Sequence, residues 1–254
     1  MKDIFMADKA LSLPWAAPGR ELTLKTSELH VWRANLQIDE KLVAYYFRIL
    51  SPDEVERAER YYSVKDKMYF IAARGILRHV LGRYLNRDQK EISFNYALYG
   101  KPFIAGEQNP QGLCFNVSHS DGLWVIAIGQ RIEVGVDIER IRRGFDVMEI
   151  ARSFFSQGET MKLNSLTEDE RVAAFYRSWT WKEAYLKAIG KGLFADLREI
   201  DISGRHITVT NSSDLKDNIC SWSLLDINPA GGYAGALASK GTPASMECFD
   251  YSYA

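Results

Sequence analysis

The run Val134-Gly135-Val136-Asp137-Ile138-Glu139 constrains the fold of this chain more than any other stretch. Its period of two is that of a strand, so Val136 and Ile138 share one face while Asp137 and Glu139 share the other. Carboxylates that close repel each other unless a cation or a basic group sits between them, which makes the pair a candidate site for a hard metal ion. A bare D-x-E is more often a solvent-facing strand with ordinary charges.

The segment Arg171 to Gly190 shifts that balance. At 100° per residue, Val172, Phe175, Tyr176, Trp179 and Leu186 form an apolar stripe, and Glu183 falls near its middle. An inward carboxylate left unpaired costs several kcal/mol or takes up a proton, so it needs a cation. Lys187, one turn later on the same face, offers an internal pair at i,i+4. Three carboxylates beside a lysine also suit a magnesium-bound pyrophosphate, because magnesium prefers carboxylate oxygens together with substrate phosphates.

The remaining patterns outline an α+β chain. Glu28 to Asn35 alternates as a strand, and Ser51-Pro52-Asp53-Glu54 opens a helix that is charge-rich to about Tyr62. A second helix, Lys65 to Leu85, carries Tyr69, Ile71, Ala72, Ile76, Val80 and Leu81 near helical spacing. Arg74, Arg78 and Arg83 interrupt it; a solvated face accounts for most arginines, and the alternative is that one of them reaches an anion. Strands are expected at Glu91–Tyr96, Leu113–Val117 and Leu123–Ile128, with a turn at Gln130-Arg131 before the acidic strand. Helices Asp146–Phe155 and Glu168–Ile189 follow, then strands around Ile207, Trp222 and Tyr233. Both halves run from helices into strands, which points to two similar α+β lobes.

Two polar turns add to the picture. Asn116 to Gly122 offers hydroxyls, backbone N–H groups and the His119 imidazole to an anion. With no paired histidine spacing, His119 reads as a hydrogen-bonding partner rather than a metal ligand. Gly100-Lys101-Pro102 is a common turn whose lysine is ordinarily solvated.

Composition limits the function classes. A formal charge of -1 over 254 residues excludes wholesale binding of nucleic acid or an anionic membrane through a basic surface, so any polyanion is held locally. Cys114, Cys220 and Cys248 match neither a disulfide framework nor a zinc pattern. With no signal peptide in Met1–Arg20 and no window long enough to span a bilayer, a cytoplasmic location is expected.

Taken in order, G-K-P (100 to 102), F-N-V-S-H-S (115 to 120), G-V-D-I-E (135 to 139) and W-T-W-K-E-A-Y-L-K (179 to 187) resemble the 4'-phosphopantetheinyl transferases, in the larger, pseudo-dimeric Sfp-type that serves peptide and polyketide synthases. Each motif alone is weak; their order and spacing are specific, and the resemblance covers about Ser51 to Gly192. It implies two pseudo-symmetric α+β lobes, 1–132 and 133–254, each a small, mainly antiparallel sheet packed with helices, with the active site at their interface. Coenzyme A is implied as co-substrate, apo carrier proteins (acyl, peptidyl or polyketide) as partners, and a monomer as the working form.

The same resemblance makes Asp137, Glu139 and Glu183 the magnesium ligands and Lys187 the contact to the pyrophosphate. Either Glu183 or a metal-bound water is the base for the carrier serine. Arg57, Arg74, Lys101, Pro102, Ser118 and His119 match coenzyme A contacts. Glu54 stands where a relative carries a lysine, so one basic contact is missing.

Overall fold

In the computed structural model, which describes residues 14–192, 196–203, 206–209 and 222–253, short strand Trp15–Ala16 (β1) and strand Glu28–Asn35 (β2) come first. Helices Glu40–Phe47 (α1), Pro52–Glu59 (α2) and Val64–Leu85 (α3) follow, then strands Phe94–Tyr96 (β3), Pro102–Ile104 (β4), Leu113–Ser120 (β5), Leu123–Gln130 (β6) and Val134–Arg140 (β7). Helices Val147–Phe154 (α4), Gln157–Asn164 (α5) and Glu168–Ala188 (α6) lead to strands Ile200–Ser203 (β8), His206–Val209 (β9), Trp222–Asp226 (β10), Tyr233–Lys240 (β11) and Ser245–Asp250 (β12). Cys220 lies outside the described residues. No described helix is long and apolar enough to cross a membrane.

Two of these helices have no counterpart in the periodicity reading. α1 and α5 each span only eight residues, and their signals are caps rather than stripes. Asp39 Oδ1 accepts the Leu42 N–H at 2.8 Å, and Ser156 and Glu159 exchange reciprocal bonds of 2.9 and 3.2 Å. The strand expected from Glu91 begins only at Phe94, because a turn closed by Glu91 N–H on Asp88 O comes first.

Four layers result. A five-stranded sheet, ordered β1-β12-β2-β6-β5, packs one face on the first three helices: Trp32, Trp124, Ile126 and Ile128 meet Ile76, Leu77, Val80 and Leu81 of α3. Its other face, with Leu29, Val31, Val125 and Ala127, meets Val134, Val136, Ile138 and Leu237 of a second sheet ordered β10-β11-β7. The outer face of that second sheet receives α6 through Ala184, Tyr185, Leu186, Leu224, Ala236 and Ala238. Strands β2, β6, β7 and β11 are largely buried on both faces, which removes large apolar area from water at about 25 cal/mol per Å². Strand β12 returns from the end of the chain to pair, in parallel, between β1 and β2.

The arginines of α3 correct the reading of a solvated face. Arg78 is 0% exposed and donates through Nε to Glu54 Oε2 at 2.6 Å and through Nη1 to the Gln89 and Ile92 carbonyls. Arg83 stacks over Trp32 and donates to the Gly19 carbonyl.

Candidate active site

The site forms where α6 crosses β7, and a glycine permits the crossing. A Cβ on Gly135 would lie 2.0 Å from the Ala184 carbonyl oxygen and 2.4 Å from the Ala188 nitrogen, so no side chain fits there. Because β7 alternates, Val134, Val136 and Ile138 enter the core between the sheets, and Gly135, Asp137 and Glu139 turn toward α6. Glu183, on the helix face against β7, is 8% exposed, inward as the apolar stripe implied, and feels the charges of Asp137 and Glu139.

Lys187 does not pair with Glu183. Its Nζ lies 2.6 Å from Asp137 Oδ1 and 2.9 Å from the Ser118 hydroxyl, so the lysine crosses to the strand instead of closing an i,i+4 pair along the helix. Glu183 thereby keeps a buried Oε1 with no hydrogen-bond partner, and Asp137 keeps a buried Oδ2 in the same condition. Burial, reinforced by Asp137 and against the pull of Lys187, pushes the Glu183 carboxyl up to about 7. Burial and then Asp137 also raise Glu139, against a lowering hydrogen bond from Ser120.

Among the described residues, no three His, Cys, Asp or Glu side chains are drawn into a ready-made metal cage. The donor set nevertheless suits a hard divalent ion: three carboxylates, two of them with an open buried oxygen, satisfy the oxygen preference of magnesium.

A row of polar side chains on β5 faces the same place. Asn116 Oδ1 accepts the Val136 N–H at 2.9 Å, Ser118 Oγ the Ile138 N–H at 3.3 Å, and Ser120 Oγ the Arg140 N–H at 3.1 Å. These N–H groups lie on the edge of β7 that has no strand neighbour, since β11 pairs on the other side. Left bare in the interior, each would cost about 1–3 kcal/mol. Ser118 is 5% exposed and also donates to Asp137 Oδ1 at 3.0 Å; Ser120 donates to Glu139 Oε2 at 2.9 Å. Reading N-V-S-H-S with a period of two would have separated this row from Val117 and His119.

Val117 and His119, on the opposite face of β5, line a cleft of about 560 Å³ with Arg57, Tyr61, Lys65, Tyr69, Arg74, Tyr96 and Pro102. Of the residues matched to coenzyme A, the cleft thus gathers Arg57, Arg74, Pro102 and His119. It does not gather Ser118 or Lys101. The Lys101 ammonium is turned inward, donating to Ala188 O at 2.7 Å and Val134 O at 3.1 Å, and burial lowers its pKa. There it satisfies the carbonyl end of α6, where a cation is favoured. Burial, then Lys187, lowers the His119 pKa, against the pull of Asp137, and so favours the neutral imidazole.

Glu54, which stands where a basic group was missed, is 2% exposed and accepts from Arg74 Nε at 2.6 Å as well as from Arg78. The acid supports the cleft wall by holding both arginines. Arg74 also lies over Phe94, and the Arg57 guanidinium of the cleft lies over Phe70, with no ion pair to a carboxylate among the described residues.

Comparison with known proteins identifies the family. A family model described as the 4'-phosphopantetheinyl transferase superfamily matches residues 133–238, and one described as 4'-phosphopantetheinyl transferase, N-terminal, matches residues 37–131. The 4'-phosphopantetheinyl transferase HetI of Nostoc sp. is 37% identical over 227 residues, covering 89% of this chain and 94% of that protein. The transferase gsp of Aneurinibacillus migulanus is 35% identical over 62% of this chain and 63% of its own. Sfp of Bacillus subtilis is 32% identical over 62% of this chain and 67% of its own. With a 37% identical relative spanned almost end to end, and the acidic strand, the helix lysine and the cleft brought together, this chain belongs to the 4'-phosphopantetheinyl transferase family.

Proposed function

We propose that the protein transfers the 4'-phosphopantetheine arm of coenzyme A to a serine hydroxyl of an apo carrier protein, releasing adenosine 3',5'-bisphosphate. The observation that carries this reading is Glu183: a buried carboxylate with one open oxygen and a pKa pushed up to about 7, next to a lysine and two further carboxylates. A serine hydroxyl is a poor nucleophile at neutral pH, and a buried carboxylate with an open oxygen is placed to take its proton. The serine oxygen bonds to the phosphorus carrying the pantetheine arm as the bond to the bridging pyrophosphate oxygen breaks. Glu183 receives the hydroxyl proton.

Lys187 meets the negative charge that develops on the leaving phosphate. Asp137, Glu139 and Glu183 hold magnesium, which when bound neutralises pyrophosphate charge and orients the group. Arg57, Arg74, Pro102 and His119 grip the nucleotide end of coenzyme A in the cleft. Acyl, peptidyl and polyketide carriers form the partner class, and the enzyme works as a cytoplasmic monomer.

Incubation with coenzyme A, magnesium and a panel of apo carrier proteins tests this reading. The expected result is a mass gain of about 340 Da on at least one carrier, the size of the transferred arm. No gain on any carrier, with a relative such as Sfp active on the same panel, overturns it.

A further inference from the structure

The turn between β10 and β11 is tied down at every carbonyl from Asn228 to Gly232. Asn228 O accepts the Trp15 indole N–H at 3.0 Å, and Pro229 O accepts the Arg33 guanidinium. Ala230 O accepts Tyr233 N–H at 3.2 Å, Gly231 O accepts Arg140 Nη1 at 3.1 Å, and Gly232 O accepts Ile141 N–H at 2.9 Å. Connections of this kind are ordinarily solvated and mobile. This one is fixed from β1, β2 and the end of β7 at once. A Cβ on Gly232 would lie 2.7 Å from Arg140 Nη1, so the guanidinium sits directly on bare backbone.

The fixed turn delivers Tyr233, the register partner of Arg140 on β7. The Arg140 guanidinium lies 5.0 Å over the Tyr233 ring, and the two side chains reach across to the first sheet together. Tyr233 Oη donates to Asp121 O at 3.1 Å, and Arg140 Nε lies 3.8 Å from Asp121 Oδ2. Asp121 and Gly122, with φ of 45° and 85°, make the two-residue turn that joins β5 to β6, and both line the cleft. Leu36 N–H on Gly122 O, at 2.7 Å, ties that turn to its own sheet. Every residue lining the cleft comes from positions 36–124, whereas the carboxylates stand at 137, 139 and 183.

We infer that Tyr233 and Arg140 are positioning residues: from the second sheet they clasp the cleft-side turn of the first, and so hold bound coenzyme A in line with the acidic strand. This inference rests on the transferase reading above and adds how the two halves of the site keep their alignment. Neither side chain lines the cleft, so their part is in alignment and not in gripping the nucleotide.

Tyr233→Phe deletes one hydroxyl and Arg140→Met one guanidinium. Both contacts to Asp121 are exposed, so each variant should lower the melting temperature by no more than about 5 °C. A 1 Å misplacement of reacting groups costs about 100-fold, so partial loosening should lower kcat for carrier modification at least about fivefold, with KM for coenzyme A within about twofold. A contact that served stability alone would move the melting temperature and leave kcat untouched. Native kcat in both variants overturns the inference. So does a tenfold rise in KM with kcat unchanged, which would make the turn a wall of the cleft and nothing more. Hydrogen exchange at the Leu36 amide, shielded by Gly122 O, reads the turn without turnover and should quicken at least about threefold in Tyr233→Phe; unchanged exchange also overturns the clasp. Should Arg140→Met fail to fold, Tyr233→Phe decides the matter alone. A wild-type protein that modifies no carrier overturns the transferase reading, and the clasp then stands or falls on the Leu36 exchange.

Discussion

Substituting Gly135 by alanine tests how the site is assembled. The new methyl carbon would stand 2.0 Å from the Ala184 carbonyl oxygen, 2.4 Å from the Ala188 nitrogen and 2.9 Å from the Ala188 Cα. All three are backbone atoms of α6, so no rotamer change relieves the overlap, and the helix must retreat by roughly 1 Å or more. Overpacking of this kind costs about 1–3 kcal/mol. In a chain of this size each kcal/mol lowers the melting temperature by about 2–4 °C, so calorimetry should record a fall of about 2–12 °C. The same retreat carries Glu183 and Lys187 away from β7 and stretches the 2.6 Å contact to Asp137 beyond bonding distance. A 1 Å misplacement of reacting groups costs about 100-fold, so carrier modification should fall by that order. A Gly135→Ala protein with native melting temperature and native turnover would show that α6 and β7 do not meet as described.

Glu183→Gln should abolish carrier modification, and residual turnover near the wild-type rate would remove Glu183 from both the base and ligand roles. Because this carboxyl, free of metal, is raised from 4.5 to about 7, it is neutral below that pH, and Mn²⁺ affinity measured by electron paramagnetic resonance should weaken as pH falls below about 7. The linked stability runs the other way. The native state holds the proton that the unfolded state has lost between 4.5 and 7, so metal-free stability falls as pH rises through that window, and the fall should vanish in Glu183→Gln. Glu54→Ala strands buried Arg78, a loss of about 3–5 kcal/mol, and a melting temperature within 2 °C of wild type in scanning calorimetry would refute the buried pairing. Lys101→Met removes two bonds to buried carbonyls and should cost about 1–3 kcal/mol in denaturant unfolding while leaving coenzyme A affinity within about twofold. Unchanged stability with tenfold weaker coenzyme A binding would put that ammonium on the ligand instead.

Periodicity was enough where one element carried the signal. The alternation of 134 to 139 placed Asp137 and Glu139 on one face, and the helical stripe placed Glu183 inward, because both periods are properties of the local backbone. Some elements escaped it: α1 and α5 are marked by their caps and not by a stripe, and β12 joins a sheet whose other members lie far away in sequence. The side-chain partners were also illegible, because a serine, a lysine or a glutamate reads alike whether it faces water or another strand. Only packing made Ser118 an acceptor for β7, turned Lys101 onto the end of α6 and gave Glu54 two arginines.

The acidic site opened as a pair of strand carboxylates and an inward glutamate, and the sequence by itself determined their faces and, through four ordered motifs, their family. Tertiary structure decided that Lys187 crosses to Asp137 and not to Glu183, leaving that carboxylate raised and open. The physical reason is range: backbone periodicity acts over a few residues, whereas Gly135 lets two elements some fifty positions apart touch and so sets which charges meet.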